Sequence, residues 1–213
     1  MSNPSGDSQN QISFGQELLR KGTHTGGLII PGSYFFFGLD KFEMLTIMVP
    51  FSLLMILVDF SRLRNWSFWT QFASKIAGKM VRNHEAAGDF LGSTYILASI
   101  CVTIALYDKP IAIAALAFIM VGDSMAAIIG RKFGRHKFGR KSVEGSLACL
   151  AGTLAVAWLV PGILFPVAIT GAVVATLVEA LSIGVDDNVS VPIISGLVMT
   201  IMTKIIASNA IFV

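Results

Sequence analysis

Charge is scarce in this chain of 213 residues: Asp, Glu, Lys and Arg together make up 14%, against 54% for hydrophobic types. Soluble domains carry about 25% charged residues, and the mean hydropathy here is +0.72. A free soluble globule is therefore excluded and an integral membrane protein is expected. Cysteine is almost missing. Cys101 and Cys149 both lie in apolar runs with no paired spacing, which excludes a disulfide scaffold or a zinc knuckle and makes both of them expected core residues. A basic n-region, short apolar h-region and small-residue cleavage site are also lacking, so no cleavable signal peptide is expected. Residues 1–16 read as a flexible polar tail, and 17–213 as one integral-membrane catalytic domain. A P-loop is absent too. Gly134-x4-Gly139-Arg140-Lys141-Ser142 comes within one residue of a Walker A sequence, but Arg140 spoils the spacing and the flanks are apolar helices, where a βαβ unit is required.

Long apolar runs are what the chain has in abundance. About 17 to 25 such residues cross a bilayer, and on that rule spans are expected near 25–39, 42–60, 90–107, 109–129, 146–160, 163–184 and 191–212. The fold class is all-α, a polytopic bundle of about seven transmembrane helices. The first span is short and holds Pro31-Gly32, which marks a broken or re-entrant helix; Pro161-Gly162 marks a tight turn between the fifth and sixth. With the N-terminus inside, every Lys and Arg except Lys41, Lys109 and Lys204 falls on the inner side. The positive-inside rule then places both long loops in the cytoplasm, in a prokaryotic plasma membrane or the endoplasmic reticulum. A re-entrant first segment moves only the N-terminus. Lys204 is expected to snorkel outward.

Against that apolar background, Asp123 stands inside a span. An ionisable group at such depth costs several kcal/mol, of order ~3 at a span centre, unless paired, hydrated or metal-bound, and so marks a functional site. Glu179 sits one to two turns inside its helix and meets the same test, with Asp186-Asp187-Asn188 just beyond it. Asp59, Glu85, Asp89, Glu144 and these acids all fall at inner span ends or inner loops, among most of the basic residues. Carboxylates with Arg and Lys on one face are what a phosphate-handling site with a divalent metal needs. The strongest local feature runs from Gly122 to Gly145. Its glycines let backbone N–H groups approach an anion while Arg and Lys supply charge, and a triphosphate fits that description. A basic patch for anionic lipid headgroups is the alternative, which Glu144 argues against. Gly122, Ala126 and Gly130 also repeat every four residues, a helix-packing spacing.

Glu17, Arg20, Lys21 and His24 share one face of a helix entering the membrane. Asp59 and Arg62 form an i, i+3 pair at the inner end of the second span. Residues 62–83 mix Trp66, Phe68, Trp69 and Phe72 with basic groups and read as an amphipathic helix in the headgroup layer.

Taken together, Arg20-Lys21-x-x-His24, Asp59-x-x-Arg62, Glu85 with Gly92-x-Thr94-Tyr95, Gly122-Asp123-x-x-Ala126 with Gly130, Gly134, Lys141, Glu144 and Gly145, then Glu179-Ala180 and Asp187-Asn188-x-x-Val191-Pro192 resemble the CTP-dependent lipid-alcohol kinases. That family includes dolichol kinase, phytol kinase and the yeast-type CTP-dependent diacylglycerol kinase. The resemblance extends from residue 17 to the C-terminus and, beside the much longer eukaryotic dolichol kinases, implies a minimal catalytic core. It implies transfer of the γ-phosphoryl group of CTP to a membrane lipid alcohol, with Mg2+ or another divalent cation. Asp123, with Asp187 or Glu179, would hold the metal; Asp123 or Glu179 would take the hydroxyl proton. Lys141, Arg135 and Arg140 would clamp the triphosphate, with Arg20, Lys21 and His24 completing the cage. Gly122, Gly130, Gly134, Glu144, Gly145 and Asn188 are the further nucleotide-binding candidates, and Asp59, Arg62 and Glu85 are additional ones. No nucleic-acid partner is expected, and the oligomeric state stays open. Two other readings also stand: a CTP-using phosphatidate cytidylyltransferase, and an ion-coupled transporter. The one-sided acids and the lack of matched broken halves weigh against the transporter.

Overall fold

The computed structural model describes residues 14–67, 69, 71, 88–139, 141–182 and 184–211. In chain order these form helices α1 (Phe14–Gly26), α2 (Ile29–Phe36), α3 (Lys41–Leu63), α4 (Gly92–Leu106) and α5 (Lys109–Phe133), a hairpin of β1 (Lys137–Phe138) and β2 (Lys141–Ser142), then α6 (Val143–Leu159), α7 (Phe165–Leu181) and α8 (Asp187–Ile211). The all-α expectation holds for the bundle; the small hairpin was not foreseen.

The bundle is organised around α5. Every residue from Ile111 to Met120 is buried, and a helix apolar on all sides belongs at a centre. Its alanines let neighbours approach closely, and α1, α2, α4, α6, α7 and α8 all pack on it, while α3 packs outside on α4. The four-residue repeat forms the crossing with α6. A Cβ on Gly122 would lie 2.9 Å from Cys149 Sγ and 3.0 Å from Thr153 Cγ2, and one on Gly145 would lie 2.9 Å from the Ala126 carbonyl.

Large apolar side chains cover the outer faces: Phe42, Phe51 and Leu57 on α3, Trp158 and Leu159 on α6, Leu177 and Leu181 on α7. So much exposed apolar surface fits a lipid environment. Among the described residues three helices have the length and composition to cross a membrane, namely Lys41–Leu63, Lys109–Phe133 and Asp187–Asn209, with mean hydropathies of 2.0, 2.2 and 1.9. Helices α4, α6 and α7 are apolar but shorter. This is a membrane protein. The first expected span is not one helix. Helix α1 stops at Gly26, and the eight residues of α2 end before Gly38, whose φ is +66°. Eight residues rise about 12 Å, less than half of a hydrocarbon core of about 30 Å, so the broken form is the one adopted. The amphipathic helix expected over 62–83 lies mostly outside the described residues, as do Glu85 and Arg140.

From α4 onward short connections alternate the helix directions, and hydrogen bonds from Asp59 tie the end of α3 to the start of α4. The C-terminal ends of α3, α5 and α7 therefore meet the N-terminal ends of α4, α6 and α8 on one side. There Asp59, fully buried, joins two helices. Its Oδ1 accepts from Arg62 Nε at 2.8 Å, and its Oδ2 accepts from the Leu91 N–H at 2.7 Å and Thr94 Oγ1 at 2.8 Å. Arg62 also donates to the Asp89 carbonyl. Helix α4 has no capping side chain of its own, so Asp59 does that work from α3. Asp59→Ala strands three buried donors and is expected to cost about 3 kcal/mol, read as a lowered unfolding midpoint in detergent.

Candidate active site

Asp123 follows directly on the fully buried stretch of α5 and points toward α1. Lys21 Nζ donates to its Oδ2, and His24 Nε2 lies 3.5 Å from the same oxygen. Lys21 is only 2% exposed and Asp123 18%. One residue on, Thr25 Oγ1 donates to Ser124 Oγ at 2.8 Å, and Ser124 donates to the Met120 carbonyl. Lys21, His24 and Thr25 sit at i, i+3 and i+4, so a single face of α1 makes all three contacts. Arg20 is within electrostatic reach of Asp123. The sequence grouped Glu17, Arg20, Lys21 and His24 on one face, of which Lys21 and His24 meet Asp123, and left out the Thr25–Ser124 dock, because isolated hydroxyls carry no pattern.

Lys141 arrives from a different direction. Gly139, at φ +57° with open space around it, turns the hairpin. Glu144 holds its base, accepting from the His136 N–H at 3.2 and 3.3 Å and standing 2.7 Å from His136 Nδ1, while the Val143 N–H donates to the His136 carbonyl. Ser142 Oγ caps α6 by accepting from the Gly145 N–H at 3.1 Å. Thus fixed, Lys141 Nζ donates to Glu179 Oε1 at 2.5 Å and to Asp187 Oδ2 at 2.9 Å. Burial penalises the Lys141 ammonium, but the charges and hydrogen bonds of Glu179 and Asp187 outweigh it and raise the amine above the usual lysine range. Asp187 opens α8, whose first turn is capped by Asp186 through the Asn188 N–H at 2.9 Å. Asn188 itself is half-buried beside the site.

The two foci are electrostatically coupled. Asp123, Glu179 and Asp187 lie within electrostatic reach of one another, brought together from α5, α7 and α8, with cations from α1 and β2. Glu179 is buried, and its Oε2 has no hydrogen-bond partner among the described residues.

Of the two tasks that the sequence allowed the glycines, the structure shows helix packing. Gly122 and Gly145 lie in the crossing of α5 with α6. A Cβ on Gly134 would fall on the Gly130 carbonyl and the Ser142 side chain, and one on Gly130 would lie 3.1 Å from Ser142 Oγ. The Gly134 N–H donates to the Gly130 carbonyl and the Gly145 N–H to Ser142. These two donors are used within the protein, so side-chain cations are the groups best placed to meet an anion. Glu144 acts as the hairpin clamp, Asp59 and Arg62 as the α3–α4 staple, and Arg135 stands exposed at the hairpin base.

Among the described residues no three His, Cys, Asp or Glu side chains gather tightly enough to cage a metal. Mg2+ does not need such a cage, since it takes one or two carboxylates and fills the rest of its octahedron with water and phosphate oxygens. Hard carboxylates paired with exchangeable lysine ammonium groups fit that mode.

Comparison with known proteins finds similarity over most of the chain. It is 28% identical to an uncharacterized protein of Rickettsia prowazekii over 202 residues, 91% of this chain and 98% of the relative. It is 24% identical to CTP-dependent diacylglycerol kinase 1 of Saccharomyces cerevisiae over 216 residues, 88% of this chain and 74% of the relative. It is 34% identical to the Glycine max protein named "Probable phytol kinase 1, chloroplastic" over 121 residues, 46% of this chain and 39% of the relative. No family model and no solved structure matches.

Proposed function

We propose that this protein is a membrane-embedded lipid kinase that transfers the γ-phosphoryl group of CTP to the hydroxyl of a lipid alcohol, leaving the lipid phosphate and CDP. The observation that carries the reading is that Lys21-paired Asp123 and Lys141-bridged Glu179 and Asp187 stand within electrostatic reach of one another at one end of a lipid-exposed bundle. The diacylglycerol and phytol kinases among its relatives support both donor and acceptor class.

Phosphoryl transfer asks mainly for positioning and charge neutralisation. Lys141 and Lys21, with Arg20 and Arg135 nearby, supply positive charge to a triphosphate arriving from water. Asp123 and Asp187 are the carboxylates suited to a magnesium ion, which when bound neutralises β- and γ-phosphate oxygens. Glu179 has the free oxygen and the buried position suited to taking the proton of a lipid hydroxyl as it attacks. The acceptor comes from the bilayer beside the exposed helix faces, so its reacting end reaches the site while its chains stay in lipid. Lysine and arginine bias puts this end in the cytoplasm, where CTP is available.

The test uses the full chain in nanodiscs, with γ-labelled CTP and a panel of polyprenol, phytol and diacylglycerol. Label in an extractable lipid phosphate, with CDP released, is expected. Release of pyrophosphate without lipid labelling would transfer the assignment to a cytidylyltransferase. Exchange of CTP for ATP, UTP and GTP in the same assay measures donor preference.

A further inference from the structure

The hairpin carries an aromatic ring that the phosphate chemistry does not use. Phe138 and Lys141 are register partners across β1 and β2, and directly opposed residues in an antiparallel pair project to the same face with Cβ atoms about 5 Å apart. Lys141 uses that face to reach Glu179 and Asp187. Phe138 therefore shares the site side of the hairpin, yet it is 41% exposed. Its other cross-strand pair, Lys137 with Ser142, takes the opposite face.

Burial in hydrocarbon does not explain the ring. Arg135, His136 and Lys137 just before it are all exposed. A two-stranded ribbon with open edges and that much charge belongs in water or among headgroups, because unpaired backbone groups and charges are too costly in the lipid core. The ribbon is also held firmly at its base by the Glu144–His136 contacts and the Val143–His136 hydrogen bond. At the turn, Gly139 has no atom within 4 Å of where a Cβ would stand. The result is an anchored, exposed aromatic beside Lys141.

We infer that Phe138 is the platform on which the base of the nucleotide stacks, with Lys141 beside it taking the phosphates. This rests on the kinase reading and adds a nucleotide-binding residue to it. Stacking on an exposed ring is worth about tenfold or more in affinity per base and tolerates any planar side chain, because the attraction is between π faces. An aliphatic residue of similar bulk supplies apolar area without the face.

The test is equilibrium binding to the full-length protein in nanodiscs of neutral lipid, with CTP and inorganic tripolyphosphate as the two probes. Phe138→Leu and Phe138→Ala are expected to weaken CTP binding about tenfold and to leave tripolyphosphate binding unchanged, while Phe138→Trp and Phe138→Tyr keep CTP affinity within about twofold. Equal CTP affinity in wild type and Phe138→Leu overturns the platform and leaves the kinase reading intact. Parallel loss of both probes in Phe138→Leu overturns it as well, since the ring would then only shape the hairpin. Failure of the wild type to bind either probe removes the kinase reading itself.

Discussion

Asp123→Asn is expected to lower phosphoryl transfer from CTP by about a thousandfold or more, the scale set by deleting one preorganised electrostatic group at a reacting centre. The substitution keeps the shape and removes the charge. Lys21 would then stand 2% exposed beside a neutral amide, with His24 on the same side. A buried cation without its counter-charge destabilises the fold, so lost activity by itself would be ambiguous. The double variant Lys21→Met with Asp123→Asn resolves this by removing both members of the pair. Its unfolding midpoint is expected to return toward that of the wild type while turnover stays absent. Undiminished turnover in Asp123→Asn would remove Asp123 from the chemistry.

The central helix was readable in advance because its signal is composition over many residues. An unbroken apolar run from Ile111 to Met120 can hardly be anything but a buried or lipid-spanning helix. The turn at Pro161-Gly162 was readable for a local reason, and Gly162 adopts φ +81°. The break after Gly26 was only half visible. Hydropathy averages across a window and does not register where backbone hydrogen bonds stop, though Pro31-Gly32 marked the segment as irregular. The hairpin escaped notice because two-residue strands have no periodicity to detect. Only Gly139, in a run otherwise basic, hinted at a turn.

Among the site residues, Asp123, Lys141, Glu179 and Asp187 were legible because charge in an apolar chain is expensive and must have a partner. Which partner each takes is set by the packing of α1, the hairpin and α7 against α5 and α8, and no spacing in the chain encodes that. The glycines were ambiguous for a deeper reason. The residue that lets a backbone approach phosphate is also the one that lets two helices touch, and Gly122, Gly130 and Gly145 serve the second purpose. Glu144 was ambiguous in the same manner, since an acid among basic groups can answer a ligand or close a hairpin.

Lys141→Met is the second substitution of large expected effect, because one side chain both secures the structure and faces the substrate. Removing it leaves Glu179 and Asp187 without their shared cation. The expected cost is about 2 kcal/mol, below that of breaking a fully buried pair, since Lys141 and Asp187 are 23% and 24% exposed. Activity is expected to fall about a hundredfold or more, the scale of losing one charge donor to the transferring phosphoryl group. Lys141→Arg separates the two roles. A guanidinium fork can still bridge two carboxylates, so stability is expected to hold, while its longer, planar head displaces the positive charge and turnover drops. The pH dependence has a definite sign. A lysine amine raised in the folded state stabilises the protein fully below its ordinary titration and loses that contribution as pH climbs through the raised value. The Lys141 amine therefore stays charged across neutral pH, and the stability gap between wild type and Lys141→Met should narrow in strongly alkaline buffer, as the amine is neutralised, and in acid, where the carboxylates that it bridges take up protons. A gap that closed near neutrality would mean that Glu179 and Asp187 are held by something other than this lysine.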